Sequence, residues 1–108
     1  MRKYKSPITG HLDIIVTQNE DELEGIKEHW NEVLIHGDPE GLRSLANILL
    51  KLADLDQESI ADLPIGAGEH EHLQPKFDLS NSSEAVIIGR LDAKGTGVFY
   101  DRYVPKER

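Results

Sequence analysis

The chain contains no cysteine, which excludes disulfides, thiolate metal sites and cysteine nucleophiles together. Such a chain needs no oxidising compartment, and the cytoplasm is its expected location. No apolar run approaches the roughly 20 residues that a bilayer-spanning helix requires. Met1-Arg2-Lys3-Tyr4-Lys5 leads into Ser6-Pro7-Ile8-Thr9-Gly10-His11 rather than into the apolar stretch of a signal peptide, so neither a membrane partner nor export is expected. Bases are scarce as well: 12 Lys+Arg against 20 Asp+Glu leave a net charge of −8 at pH 7. Nucleic-acid binders concentrate Lys and Arg to displace counterions from phosphates, so DNA and RNA are not expected partners.

The motifs of the common catalytic machineries are missing too. Ser44, Ser59, Ser80, Ser82 and Ser83 lack the Gly-x-Ser-x-Gly elbow. Gly95-Thr96-Gly97 is too short for a phosphate loop and reads as a turn, and neither a Walker pattern nor a dinucleotide fingerprint occurs. No cofactor is expected.

What is present fits one domain over residues 1–108, since domains commonly run to about 100–150 residues. Residues 1–10, basic and carrying Pro7 and Gly10, read as a loosely held terminus. His11 to Thr17 is β-branched at its centre and predicts a strand. Leu23, Ile26 and Trp30, spaced by three and four behind Asn19, Glu20 and Asp21, predict a shorter helix over about 20–30, weakened by Gly25. Glu32 to His36 reads as a second strand.

The dominant element is a helix over about 39–55. Asp38 suits the cap, where its carboxylate can accept from first-turn amides, and Pro39 suits the first helical position, where its missing N–H costs nothing. Leu42, Leu45, Ala46, Leu49, Leu52 and Ala53 recur at helical spacing, with Arg43, Ser44, Asn47, Lys51 and Asp54 opposite. Pro64, Gly66 and Gly68 make 56–68 an irregular connection, with a short helical turn near 59–62. Further strands are predicted at 69–73, at 85–91 and, after a glycine-containing reversal, at 98–104. The expected class is α+β: a mostly antiparallel sheet of about five strands covered by one long amphipathic helix.

Two constellations carry possible chemistry. Between Glu20 and Glu40 stand eight acids and a single base, Lys27, so nearly all the net charge lies there. A charge run often serves solubility alone, but an acidic face also accelerates association with a basic partner. Glu28, Trp30 and Glu32 are the candidate contact residues in that zone. Trp30 on its predicted stripe reads first as core and second as a binding hot spot. The second constellation is His70-Glu71-His72, whose imidazoles share one face of a strand. His70 and His72 are candidate partner-binding residues. In the alternative reading they join His36 and Asp38 in a metal site, making the chain a small metal-binding domain or metal-dependent enzyme.

Gly37 to Ala46, running on through Leu49 and Leu50 to Leu52-Ala53-Asp54-Leu55-Asp56, resembles the helix motif of the immunity protein 32 family of bacterial polymorphic toxin systems. His70 to Leu73, Leu79-Ser80 and Val86 to Gly95 look like that family's remaining blocks in the same order, giving a family-like region over about 32–103. The resemblance implies a small cytosolic, non-catalytic protein that binds a cognate toxin domain and blocks it. It gives the acidic face a use if that toxin is a basic nuclease. Carried over position by position, Asp38 and Gly41 would start the family helix, and His70, His72, Ser80 and Arg90 would be its polar positions.

Overall fold

The computed structural model describes residues 5–107. Its architecture is α+β. A hairpin of two 12-residue strands, β1 (Leu12–Leu23) and β2 (Ile26–Gly37), is followed by helix α1 (Pro39–Asp54). A 3₁₀ turn at Gln57–Ser59 and two short strands, β3 (His70–Leu73) and β4 (Val86–Gly89), complete it. The strands form two separate antiparallel pairs, β1–β2 and β3–β4, rather than one sheet of about five.

The helix expected over 20–30 is instead the distal half of the hairpin. Its pairing runs without interruption from Leu12↔Gly37 to Leu23↔Ile26. Glu24 and Gly25 make the two-residue turn at φ of 53° and 79°, the positive values that a turn matched to the strand twist requires. Glycine takes that conformation without penalty. The misleading spacing has a simple origin. Paired residues in an antiparallel ladder share a face, so Leu23, Ile26 and Trp30 are neighbours across the turn without any helix. The strand expected at 98–104 does not form either. Among the described residues the reversal is followed by the single bridge Asp92↔Phe99, and those from Tyr100 onward are exposed and outside any strand.

Helix α1 starts where expected. Asp38 Oδ1 accepts from the Gly41 amide at 2.7 Å and from the His11 amide at 3.0 Å, so one carboxylate caps the helix and fastens the start of β1. That crossing is tight enough to demand glycine: a Cβ on Gly41 would lie 2.0 Å from the His11 carbonyl oxygen. Gly41, Ser44, Leu45, Ile48 and Leu52 face inward. The stripe is therefore rotated from the expected one. Leu42 and Leu49 are exposed, while Ser44 is buried because its hydroxyl accepts from the Thr9 amide and donates to the Gly41 carbonyl. At the far end Arg90 Nη1 donates to the carbonyls of Leu52 and Leu55 at 2.8 and 2.9 Å, satisfying acceptors that every helix C-terminus leaves open.

Leu45, Ile48 and Leu52 meet Ile8, Leu12, Ile14, Leu73 and Leu79 in the core. Residues 1–4 of the expected loose terminus lie outside the described residues. Of the remainder, Ile8 is buried and the Ser6 hydroxyl donates to Asp78. Residues 80–84 run beside the base of β1, where the Ser80 and Glu84 amides donate to the carbonyls of Leu12 and Ile14. The 56–68 connection is pinned by Gln57, which spans from Asp92 to the Glu69 amide, and by buried Lys94, whose ammonium donates to the carbonyls of Ile60 and Leu63.

This core holds only the base of the hairpin. The radius of gyration is 17.4 Å and the extents are 55 × 37 × 23 Å, against about 13 Å for a compact domain of this size. Twelve residues at about 3.4 Å each make strands of roughly 40 Å, and from Asp21 to Val33 every residue is exposed.

Candidate protein-binding surface

Register sorts the hairpin into two faces of different chemistry. On the core-facing side Leu12 and Ile14 are buried at the base. Further out that side carries Glu20, which approaches Lys27 at 3.7 Å and His29 at 3.6 Å. The one base of the acidic zone is thus matched within its own face. The opposite face bears Asp13, Asp21, Glu28 and Glu32 and no Lys or Arg.

Glu28, Trp30 and Glu32 stand two apart on β2, so the strand places all three on this acid-only face. Their partners across the ladder are Asp21, Asn19 and Thr17. The Asn19 side-chain amide donates to Glu32 Oε1 at 2.8 Å and to the Thr17 hydroxyl at 3.1 Å, which fixes the polar surround of the indole. Trp30 is 43% exposed, and its reading as a core residue is corrected: it lies beyond the point where α1 covers the hairpin. With Leu23 75% and Ile26 66% exposed at the tip, the face combines bare apolar groups with unneutralised carboxylates. The sequence reading did not set Thr17, Asn19 and Asp21 beside Glu32, Trp30 and Glu28. The signal that could have found them is Glu24-Gly25 standing between Leu23 and Ile26, a two-residue loop flanked by strand formers.

His70 and His72 do share a face, as their spacing requires, and their rings meet edge to face with centroids 4.8 Å apart. They line a shallow depression with Glu71, Gln74 and Phe77. The hairpin depression around Trp30 is lined by other residues, Gln18, Asn19, His29 and Asn31, so the candidate contact residues form two surfaces rather than one. The alternative metal set is also divided. His36 lies on β2 opposite Asp13, and Asp38 is committed to the helix cap. Among the described residues no three His, Asp or Glu come together in a group that could hold a metal ion.

The remaining polar positions are tied to the fold. The hydroxyls of Ser80 and Ser82 donate to Asp13 Oδ1 at 2.6 and 2.7 Å and hold its carboxyl below the ordinary carboxylate value. The His11 and Gly41 amides do the same for Asp38. Arg90 grips Asp92 through Nε and Nη2 at 2.8 and 2.7 Å, lowering the carboxyl and raising the guanidinium. Asp38, Ser80 and Arg90 thus have structural employment.

Taken together, these features define a class: a small α+β protein whose described residues include no helix long and apolar enough to cross a membrane, and which carries a projecting acidic arm beside a separate histidine-lined surface. The particular family follows from comparison with known proteins. The family model described as immunity protein 32 matches residues 32–91, more than half of the 108-residue chain, and the chain belongs to that family. The match begins at Glu32, within β2, and so spans the basal end of β2, α1, β3 and β4 but neither β1 nor the tip of the arm. No curated protein and no solved structure matches the chain.

Proposed function

We propose that this chain is an immunity protein that binds a cognate bacterial toxin domain in the cytoplasm and neutralises it by occupying its surface, without catalysis. The observation that carries the reading is the acid-only face of the hairpin, on a member of an immunity protein family. Glu28, Trp30 and Glu32 would form the main contact: the carboxylates steer a basic surface into place and the indole supplies the desolvated anchor on which affinity depends. A basic partner such as a nuclease domain fits this chemistry, because such a domain presents cations where its phosphates bind. His70 and His72 offer a second contact on the other sheet.

The test is co-expression with the toxin domain encoded beside the gene, followed by pull-down at moderate salt. Rescue of growth and a stable complex are expected. A toxin that kills equally with or without this chain, and that does not associate with it, overturns the reading.

A further inference from the structure

The hairpin's two outer edges are not equivalent. The carbonyls of Leu12 and Ile14 point away from β2, because they accept from the amides of Ser80 and Glu84. Backbone direction alternates along a strand, so Asp13, Ile15 and every second residue after them bond to β2, while the even-numbered residues of β1 face outward. Their opposites on β2 are Lys27, His29, Asn31, Val33 and Ile35, and these must turn their N–H and C=O groups to the far side. At its base, at Leu12 and Ile14, the β1 edge is covered by residues 80–84, so the edges differ there, opposite Gly37 and Ile35. From Val16 outward no described residue adds a backbone bond to β1. Along β2 no described residue bonds to the outward groups of these five. Val33 and Ile35 are 60% and 51% exposed on the same strand.

An open edge of this length is a ready template for another strand. We propose that β2, from Lys27 to Ile35, is a strand-pairing site that takes an extended segment of the partner, one in which Lys or Arg alternates with apolar residues. Side chains of an added strand alternate between the two faces. On one face they meet Glu28, Trp30 and Glu32, where cations find carboxylates without a resident base. On the other they meet Val33 and Ile35 toward the base, where apolar groups cover apolar groups, and Asn31, His29 and Lys27 toward the tip, the last two beside Glu20. A second copy of this chain fits worse: edge-to-edge pairing about a two-fold axis sets the Glu28 and Glu32 face of one copy beside the same face of the other, with no base between them. The proposal rests on the toxin-binding reading and specifies how that contact is made.

The experiment is hydrogen exchange on the chain alone and in complex with the inactivated toxin domain encoded beside its gene, with the Val33→Pro and Val33→Thr variants measured in parallel. Proline is tolerated on an edge strand where its nitrogen faces outward, so Val33→Pro removes one pairing amide without removing a bond of the hairpin, whereas Val33→Thr keeps that amide and changes only the side chain. Expected are amides at Asn31, Val33 and Ile35 that slow roughly tenfold or more in the complex, and binding weakened roughly tenfold by proline but little by threonine. If Val33→Pro fails to fold, the wild-type exchange pattern decides alone. Tight binding with unchanged exchange along β2 overturns strand pairing and leaves neutralisation standing. Absence of any complex with the wild-type chain overturns both. A free chain that sediments as a dimer with these amides already slow overturns the heterologous partner in favour of a second copy.

Discussion

The base and the tip of the β1–β2 hairpin share one ladder and one register, yet they live in different surroundings. At the base Leu12 is 1% exposed and packs with Ile14 against α1 and the second sheet. Burial of side chains of that size contributes about 1.5–3 kcal/mol each. At the tip the apolar residues Leu23, Ile26 and Trp30 stay in water, and their contribution to folding is correspondingly small. A lone two-stranded ribbon is marginal in water, so the tip persists because the base holds it in register. The base secures the fold, and the tip holds chemistry that the fold does not consume.

The largest expected effect breaks the base while sparing the tip. In Gly41→Ala the new methyl group falls on the His11 carbonyl, and either the helix start or the entry to β1 must move. A loss of about 3 kcal/mol is expected in urea unfolding. An unchanged midpoint would mean that the crossing is not the fastening it looks like. The complementary change is Glu28→Lys with Glu32→Lys. It should leave the melting temperature within about 2 °C, since both side chains are exposed. Binding of the toxin domain proposed as its partner should weaken roughly a hundredfold at low salt, most of it in the association rate. Trp30 is the sole tryptophan, so its emission should shift to the blue on binding. An indole that stays solvent-like in the complex would move the contact elsewhere.

Acid sharpens the same division. Asp13, Asp38 and Asp92 all belong to the base or to the layer packed on it, and each is held below the ordinary carboxylate value of 3.8 by hydroxyls, amides or the Arg90 guanidinium. A folded-state value below the unfolded one gives stability that is complete above about pH 4 and is lost as pH falls through the folded value. The melting temperature should therefore decline below about pH 4 as these three protonate, and Asp13→Asn should make that decline shallower. A decline equally steep in the variant would remove Asp13 from the account.

How much of this was readable in the sequence depended on where the signal lived. Asp38-Pro39 and the three-and-four spacing of leucines located α1 to within a residue or so, because capping and periodicity are local. The face of that helix was less legible. Ser44 is buried by a hydroxyl bridge to Thr9, a contact 35 residues away that periodicity does not encode. The hairpin was misread because reversal at Glu24-Gly25 brings Leu23, Ile26 and Trp30 onto one face, giving the spacing of a helix without its geometry. The acidic zone was visible from composition, but its sorting was not. Only the ladder sets Glu20 beside Lys27 and His29 and leaves Asp21, Glu28 and Glu32 together without a base.

The smallest expected effect isolates the tip. Glu24 sits at φ 53°, a conformation that costs most side chains energy and that asparagine tolerates better. Glu24→Asn leaves Gly25 in place and supplies the favoured two-residue turn pair. The expected gain is about 0.5 kcal/mol, confined to the end of the ladder. The global melting temperature should hardly move, because the tip contributes little to the core. Amide exchange at the tip should slow, because local opening there is set by the turn. Should both respond in proportion, the tip and base would form one cooperative unit, and the arm could not be treated as a surface tuned separately from the body that carries it.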